Sequence, residues 1–146
     1  MIRPFEKTDI PDLLKLLKLN IPTAFALSEY DDYVHYLDSE IEDYFVIDVN
    51  GRIIGAGGIN YNLEKKEAYL SWDFLHPDWQ GRGLGKRLAL MRLDLIKTKA
   101  SIDKIVVRTS QMAFKFYEKM GFRLKYTSED FWAKSYDLYY MEISLH

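Results

Sequence analysis

The sequence predicts an α/β domain built on a mixed, mostly antiparallel sheet of about seven strands flanked by about four helices. Three observations carry that prediction. Two β-rich runs at 44–49 and 52–59 flank Asn50-Gly51, the dipeptide best suited to the positive φ angles of a type I′ hairpin turn. Between 67 and 98 an apolar strand, a Gly-rich segment and an amphipathic helix follow one another as a unit. A length of 146 residues, 48% of them hydrophobic and 15% aromatic, suffices for one domain, 1–146, that buries roughly 68–70% of its unfolded surface.

A short strand at 2–5 opens the chain. Thr8 or Asp9 then caps a helix whose Ile10, Leu13, Leu14 and Leu17 recur at helical spacing, and Pro22 limits it. A second helix is expected over 28–41, with Tyr30, Tyr33, Val34, Leu37 and Ile41 as its apolar stripe. After the hairpin come a strand at 67–75 and a helix at about 83–98 carrying Leu84, Leu88, Met91 and Leu95 on one stripe. A short strand at 104–108 leads to Ser110, which caps a helix presenting Ala113, Phe116, Tyr117 and Met120 on one face, and Gly121 stops that helix. Strands at 122–127 and 136–143 close the sheet. The order β-α-α-β-β-β-α-β-α-β-β mixes hairpins with crossover helices, which calls for helices on both faces.

Composition removes several function classes. The 20 Lys and Arg against 22 Asp and Glu give a net charge of -2, without the basic surplus of a nucleic-acid binder. With no cysteine, disulfides, thiolate metal sites and a Cys nucleophile all fall away. Residues 1–10 alternate charged and apolar side chains, and no run approaches the ~20 apolar residues of a membrane span, so a cytoplasmic protein without membrane partners is expected. His35, His76 and His146 show no metal-ligand spacing, and no metal is expected.

The most informative segment is His76-Pro77-Asp78-Trp79-Gln80-Gly81-Arg82-Gly83-Leu84-Gly85-Lys86-Arg87, between a strand end and a helix start. Glycines there let the backbone turn tightly and let a ligand approach main-chain N–H groups, while the positive end of the following helix favours a phosphate. Arg82, Lys86 and Arg87 add positive charge. The run G-x-G-x-G does not match the dinucleotide fingerprint G-x-G-x-x-G, and Gly85-Lys86 is followed by Arg87 rather than by the hydroxyl residue of a P-loop.

These residues resemble those of the GNAT superfamily of acetyl-CoA-dependent N-acetyltransferases. Gln80-Gly81-Arg82-Gly83-Leu84-Gly85 is similar to the family's acetyl-CoA signature Q/R-x-x-G-x-G/A, and Leu75-His76-Pro77 to its strand ending. Ala113-Phe114-Lys115-Phe116-Tyr117-Glu118-Lys119-Met120-Gly121-Phe122 resembles the second motif, A-x-x-F-Y-E-K-x-G-F, in the correct order and separation. The resemblance covers the whole chain. It implies that backbone N–H groups from Gly81 to Lys86, in the stretch Gln80, Gly81, Arg82, Gly83, Leu84, Gly85 and Lys86, hold the pyrophosphate of acetyl-CoA. It also implies that the main chain at Phe74 and Leu75 pairs with the pantetheine arm and supplies an oxyanion-binding N–H, and that Ser110, Ala113, Phe116 and Tyr117 lie along the cofactor.

Acetyl transfer to an amine needs a deprotonated nucleophile and a proton for the departing thiolate. By the resemblance Tyr117 is the general acid, a phenol of pKa about 10 facing a thiol of about 8.5; packing in the core is the other reading of the same residue. Strand alternation places Glu67, Tyr69, Ser71 and Asp73 on one face, opposite Ala68, Leu70, Trp72 and Phe74. A carboxylate in a covered strand must border a wet cleft or meet a partner, so Glu67 and Asp73 are candidates for the base or for substrate contact, and Asp73 equally for an ion pair. Ser110 stands where many relatives carry Asn and serves as an N-cap, as a contact to pantetheine or water, or as both. His76 either touches the cofactor or is a solvated loop residue, and His35 lies on the substrate side.

The amine acceptor is expected opposite the cofactor. Glu29, Asp31, Asp32, Glu40, Glu42 and Asp43 with Tyr30, Tyr33 and Tyr36 are either an attraction for a cationic amine or a solvated helix face. Trp132, Tyr136, Tyr139 and Tyr140 either line the cleft or pair two copies into a homodimer. The whole reading is direct transfer from acetyl-CoA to a primary amine of a small molecule or peptide, since no Cys can carry an acetyl group. A non-catalytic acyl-CoA sensor is the alternative.

Overall fold

The computed structural model describes residues 1–145, and His146 lies outside them. Seven strands form one sheet in the order β1-β2-β3-β4-β5-β7-β6, where β1 is Ile2–Pro4, β2 Asp43–Val49, β3 Arg52–Asn62, β4 Glu67–Leu75, β5 Lys104–Thr109, β6 Arg123–Ala133 and β7 Tyr136–Ser144. Every neighbouring pair is antiparallel except β4 and β5. That parallel pair is joined through the helix α3, Leu84–Lys97, as a crossover requires. α1, Ile10–Lys18, and α2, Glu29–His35, pack on one face of the sheet. α3 and α4, Phe114–Lys119, pack on the other.

The hairpin turn forms as expected, with Asn50 at φ 52° and Gly51 at φ 83°. Three local expectations change. Asp9 is the N-cap of α1 but makes no side-chain bond to it; a 3₁₀ turn at Lys7–Asp9 precedes the helix, and the Asp9 carboxylate accepts the Glu6 N–H at 2.8 Å and two Arg3 N–H groups. The second helix ends at His35 and continues as a wider π turn over Tyr36–Glu40. The wider turn brings Tyr36 into the core beside Tyr33 and Leu37, and Val34, assigned to the stripe, is 40% exposed. In α3 the buried side chains are Leu88, Ala89, Arg92, Leu93 and Ile96, so the inner face is rotated from the stripe through Met91 and Leu95 and has an arginine at its centre.

Room for that arginine comes from β3. Residues Gly55-Ala56-Gly57-Gly58 present almost no side chain where β3 lies under both layers. A Cβ on Gly57 would lie 2.7 Å from Asp73 Oδ1 and 2.9 Å from Arg92 Cζ. Gly57→Ala therefore pushes on a buried, charged and rigid pair, and we expect it to lower unfolding free energy in urea by about 1–3 kcal/mol with an unchanged fold. Equal midpoints for the variant and the parent would show that this space is not needed.

Candidate active site

The β4–β5 ladder runs from Glu67 opposite Lys104 to Leu70 opposite Val107 and then stops, although β4 continues to Leu75 and β5 to Thr109. Beyond Leu70 the two parallel strands part, leaving the β5 side of β4 without a strand beside it. A cleft of about 1580 Å³ occupies this opening and extends from α2 to β7. Tyr136 reaches over it from β7, donating its hydroxyl to the Pro22 carbonyl in the α1–α2 loop at 2.7 Å. Leu75 keeps its carbonyl on the Asn20 side-chain amide at 3.0 Å.

A bulge in β4 decides which groups look into this cleft. Ala56 pairs with Phe74 and Gly58 with Ser71, so the single residue Gly57 stands opposite two, Trp72 and Asp73. Trp72 takes up the extra residue in the left-handed region, φ 50°, an arrangement that costs a non-glycine residue about 1 kcal/mol or more. Its carbonyl is held by the Tyr44 hydroxyl at 3.0 Å, which in turn accepts from Tyr33 at 2.7 Å, and its ring lies 4.8 Å from that of Tyr33.

The bulge reverses the alternation that the sequence implied. Ala68 and Leu70 pack against Leu93, Ile96 and Tyr117 on the α3/α4 face, while Trp72 and Phe74 belong to the cluster of Tyr33, Tyr36 and Tyr44 on the other. Asp73 consequently faces α3 and α4, not the side of Glu67 and Tyr69 as strict alternation required. Its two oxygens receive Arg92 Nη1 at 2.5 Å and Nη2 at 2.8 Å, and Oδ2 also accepts the Tyr117 hydroxyl at 2.6 Å. Arg92, 1% exposed, further donates to the Gly58 and Leu88 carbonyls. Of the readings open for Asp73, the ion pair is the one observed.

Tyr117 is buried to 5% exposure yet borders the cleft. Burial and the neighbouring Asp73 carboxylate push its phenol well above the ordinary value of 10, with Arg92 opposing, so the hydroxyl keeps its proton at neutral pH. Glu67 takes the Tyr69 hydroxyl at 2.5 Å and lies 3.9 Å from Lys104. It does not border the cleft itself, but Tyr69 does.

The Gly-rich loop has the form a phosphate cradle needs. Gly81 and Gly83 both have φ 79°, and Gly83 leads directly into the first turn of α3. A Cβ on either would meet nothing within 4 Å, so the space over the loop is open. Phe74, Leu75, Gln80, Gly81, Gly83, Gly85, Lys86, Ser110, Ala113, Phe116 and Tyr117 all border the cleft. Arg82 and Leu84 do not: the Arg82 guanidinium lies 4.6 Å over the Trp79 ring and donates to the Asp78 carbonyl, and Leu84 packs against the Ile47–Ile54–Leu88 cluster. Ser110 does not cap α4, whose N-cap is Ala113 without a side-chain bond; its Oγ accepts the Met112 N–H at 3.3 Å in the turn before the helix and borders the cleft. His76 is neither solvated nor turned to the cleft; its ring is 14% exposed and Nδ1 accepts the Asp78 N–H.

Three of the six acids assigned to the acceptor side are engaged in the fold. Glu29 accepts the Ala26 N–H at 2.7 Å and burial raises its pKa, Glu42 binds Asn60 and Tyr61, and Asp43 accepts the Tyr61 hydroxyl. Asp32, His35 and Glu40 border the cleft with Glu29. Trp132, Tyr136 and Tyr140 line it too, whereas Tyr139 packs on Phe114 at 4.6 Å. No group of three or more His, Cys, Asp or Glu placed to hold a metal occurs among the described residues, and no helix among them is long and apolar enough to cross a membrane.

A family model described as an acetyltransferase (GNAT) domain matches residues 21–145. This chain belongs to the GNAT acetyltransferase family. Among similar proteins, an uncharacterized N-acetyltransferase of Methanocaldococcus jannaschii is 33% identical over 138 residues, 85% of this chain and 61% of that protein. An amino-acid acetyltransferase of Actinobacillus pleuropneumoniae is 27% identical over 131 residues, 88% of this chain and only 28% of its own length. This chain thus spans less than two thirds of the length of either relative. Its fold is shared with the ribosomal-protein-S18-alanine N-acetyltransferase of Escherichia coli, TM-score 0.81 at 18% identity over 99% of this chain and 93% of that one. An aminoglycoside 6'-N-acetyltransferase complexed with coenzyme A matches with TM-score 0.77 at 13% identity, over 100% of this chain and 97% of that one.

What the sequence did not reveal in this GNAT domain is Arg92 and its partners. An arginine on the buried face of an amphipathic helix, with Gly57 and Gly58 in a strand, is the combination that marks such a pair. The tyrosines around it make alkaline pH a test. Tyr33, Tyr36, Tyr44 and Tyr117 are raised by burial above the phenol value of 10 that they regain on unfolding. Their contribution is therefore complete below about pH 10 and is lost above it, where the unfolded chain releases protons that the folded one retains. Urea midpoints should hold level from about pH 8 to 9 and fall beyond 10, less steeply in Tyr117→Phe; identical slopes in both proteins would contradict the burial of this phenol.

Proposed function

We propose that this chain is an acetyl-CoA-dependent N-acetyltransferase that transfers the acetyl group directly to a primary amine. The observation that carries this reading is the opening between β4 and β5, which leads from the glycine cradle at the start of α3 to a protonated phenol, Tyr117. Acetyl-CoA would supply the activated thioester. Gln80, Gly81, Gly83, Gly85 and Lys86 fit its pyrophosphate, because open main chain and a helix N-terminus converge there without side chains in the way. The free edge of β4 at Phe74 and Leu75 fits the pantetheine arm as an added strand.

Tyr117 holds a proton at its hydroxyl for the sulfur leaving group. Asp73 and Arg92 position that hydroxyl, since both carboxylate oxygens are already taken. Glu67 acts as the base through Tyr69: the amine proton passes to the Tyr69 oxygen as the Tyr69 proton passes to Glu67 Oε1. The amine comes from the side of Tyr69, Trp132 and Tyr140. A relative's name, amino-acid acetyltransferase, supports a small amine carrier over a protein.

Titration should show acetyl-CoA and CoA binding in preference to ATP and NAD at equal ionic strength. Gly83→Val, strained at φ 79° and crowding the cradle, should weaken acetyl-CoA by about tenfold or more in a folded protein; parental affinity would refute the assigned phosphate site. With an amine that is turned over, Tyr117→Phe should lower kcat by about 10²–10⁴-fold while acetyl-CoA affinity holds. Unchanged turnover would remove Tyr117 from the chemistry.

A further inference from the structure

The half of the sheet that α1 and α2 leave uncovered carries charges of both signs. On β4, β5 and β7 the side chains that face away from α3 and α4 include Glu67, Tyr69, Lys104, Arg108, Tyr140 and Glu142. Facing follows from the register: Val107 packs on the α3/α4 side, so Arg108 points the other way, next to Tyr140 across the β5–β7 ladder. Within this surface the charges are matched by contact. Lys104 lies 2.9 Å from Glu142 and 3.9 Å from Glu67, and Lys125 lies 3.8 Å from Glu142.

Arg108 is the exception. Among the described residues its guanidinium makes no ion pair and no hydrogen bond; it lies over the Trp132 ring, 5.7 Å from the guanidinium carbon, and its charge reaches the Tyr69 phenol. A guanidinium over an aromatic face keeps its in-plane N–H groups available, and a carboxylate meets two of them at once. The position is at the mouth of the catalytic opening: Arg108 follows Val107, the last residue of β5 paired with β4, and both Arg108 and Trp132 border the cleft. Trp132 is itself fixed by donating its indole N–H to the Thr109 carbonyl at 3.1 Å. The glycine cradle, in contrast, opens α3, which packs on the opposite face of the sheet. The anion that Arg108 awaits is therefore not the cofactor's pyrophosphate.

We infer that Arg108, backed by Trp132, is a specificity-determining residue that binds the carboxylate of the acceptor, so that the preferred acceptor is an amine bearing a carboxylate, an amino acid, and not a polyamine. This rests on the acetyltransferase reading for its use, but not for its detection. It gives the acceptor a charged contact apart from the acids on the α2 side, of which Glu29, Glu42 and Asp43 are engaged in the fold while Asp32 and Glu40 border the cleft.

The test compares a panel of amino acids with their carboxamides, in which the carboxylate is replaced by a neutral group of the same shape. Both are assayed for thiol release with acetyl-CoA and titrated into the CoA-saturated protein. The parent should favour the acid by about 10–100-fold in kcat/KM and in binding, the range expected for charge-assisted hydrogen bonds. Arg108→Gln should bring the acid down to the level of its amide, and Arg108→Lys should restore part of the preference. Acetyl-CoA affinity should hold in both variants. Equal use or equal binding of acid and amide by the parent, or binding of neither, overturns the proposal. So does a loss of acetyl-CoA affinity in Arg108→Gln, which would put the guanidinium on the cofactor. If acids bind selectively through Arg108 while no amine is acetylated, the acetyltransferase reading fails and the carboxylate site stands.

Discussion

The Arg92 guanidinium, held out of water in the middle of α3, constrains more of this molecule than any other group. Its four hydrogen bonds join it to its own helix at Leu88, to β3 at Gly58 and to β4 at Asp73, and Asp73 extends the chain to α4 through Tyr117. A buried charge with one partner removed costs about 3–5 kcal/mol, so these four elements must keep their mutual positions. The pair thereby fixes the spacing between the glycine cradle on α3 and the phenol on α4.

The same constraint explains features that look unrelated in one dimension. Gly57 has no side chain because Asp73 and Arg92 occupy its space. β4 carries a bulge because an unbulged strand would turn Asp73 toward the aromatic cluster, where it has no cation. Trp72 tolerates a left-handed backbone because its ring is clamped by Phe25, Tyr33 and Tyr36 and its carbonyl by Tyr44. Local strain in β4 is thus balanced by packing on one face and an ion pair on the other. Among the described residues no buried side-chain polar atom is left without a partner, although tyrosines, an arginine and an aspartate all lie inside.

Function is built from what this frame leaves open. The parallel strands β4 and β5 separate beside the bulge that redirects β4, and the resulting edge runs along the cleft that Gly81, Gly83 and Tyr117 also border. The uncovered sheet face beyond it is lined by Tyr69, Tyr140 and Trp132, with the charges of Glu67, Lys104 and Glu142 already matched. This face lies on the other side of the sheet from the layer that holds Arg92, Asp73 and Tyr117.

The sequence by itself determined the hairpin at Asn50-Gly51, the element order, and the two motifs around Gln80 and Ala113, because each depends on backbone preferences or side-chain spacing within about a dozen residues. It also placed Gly81, Gly83, Gly85, Ser110 and Tyr117 together in expectation, and they do share one cleft. Only the tertiary structure decided the face of Asp73, the burial of Arg92 and the exposure of Val34 in favour of Tyr36. A bulge and a π turn each shift a periodic pattern by a residue, and their stabilising contacts come from strands and helices far along the chain. Arg108 was equally silent, since the absence of a carboxylate partner is a property of neighbours that only folding brings together.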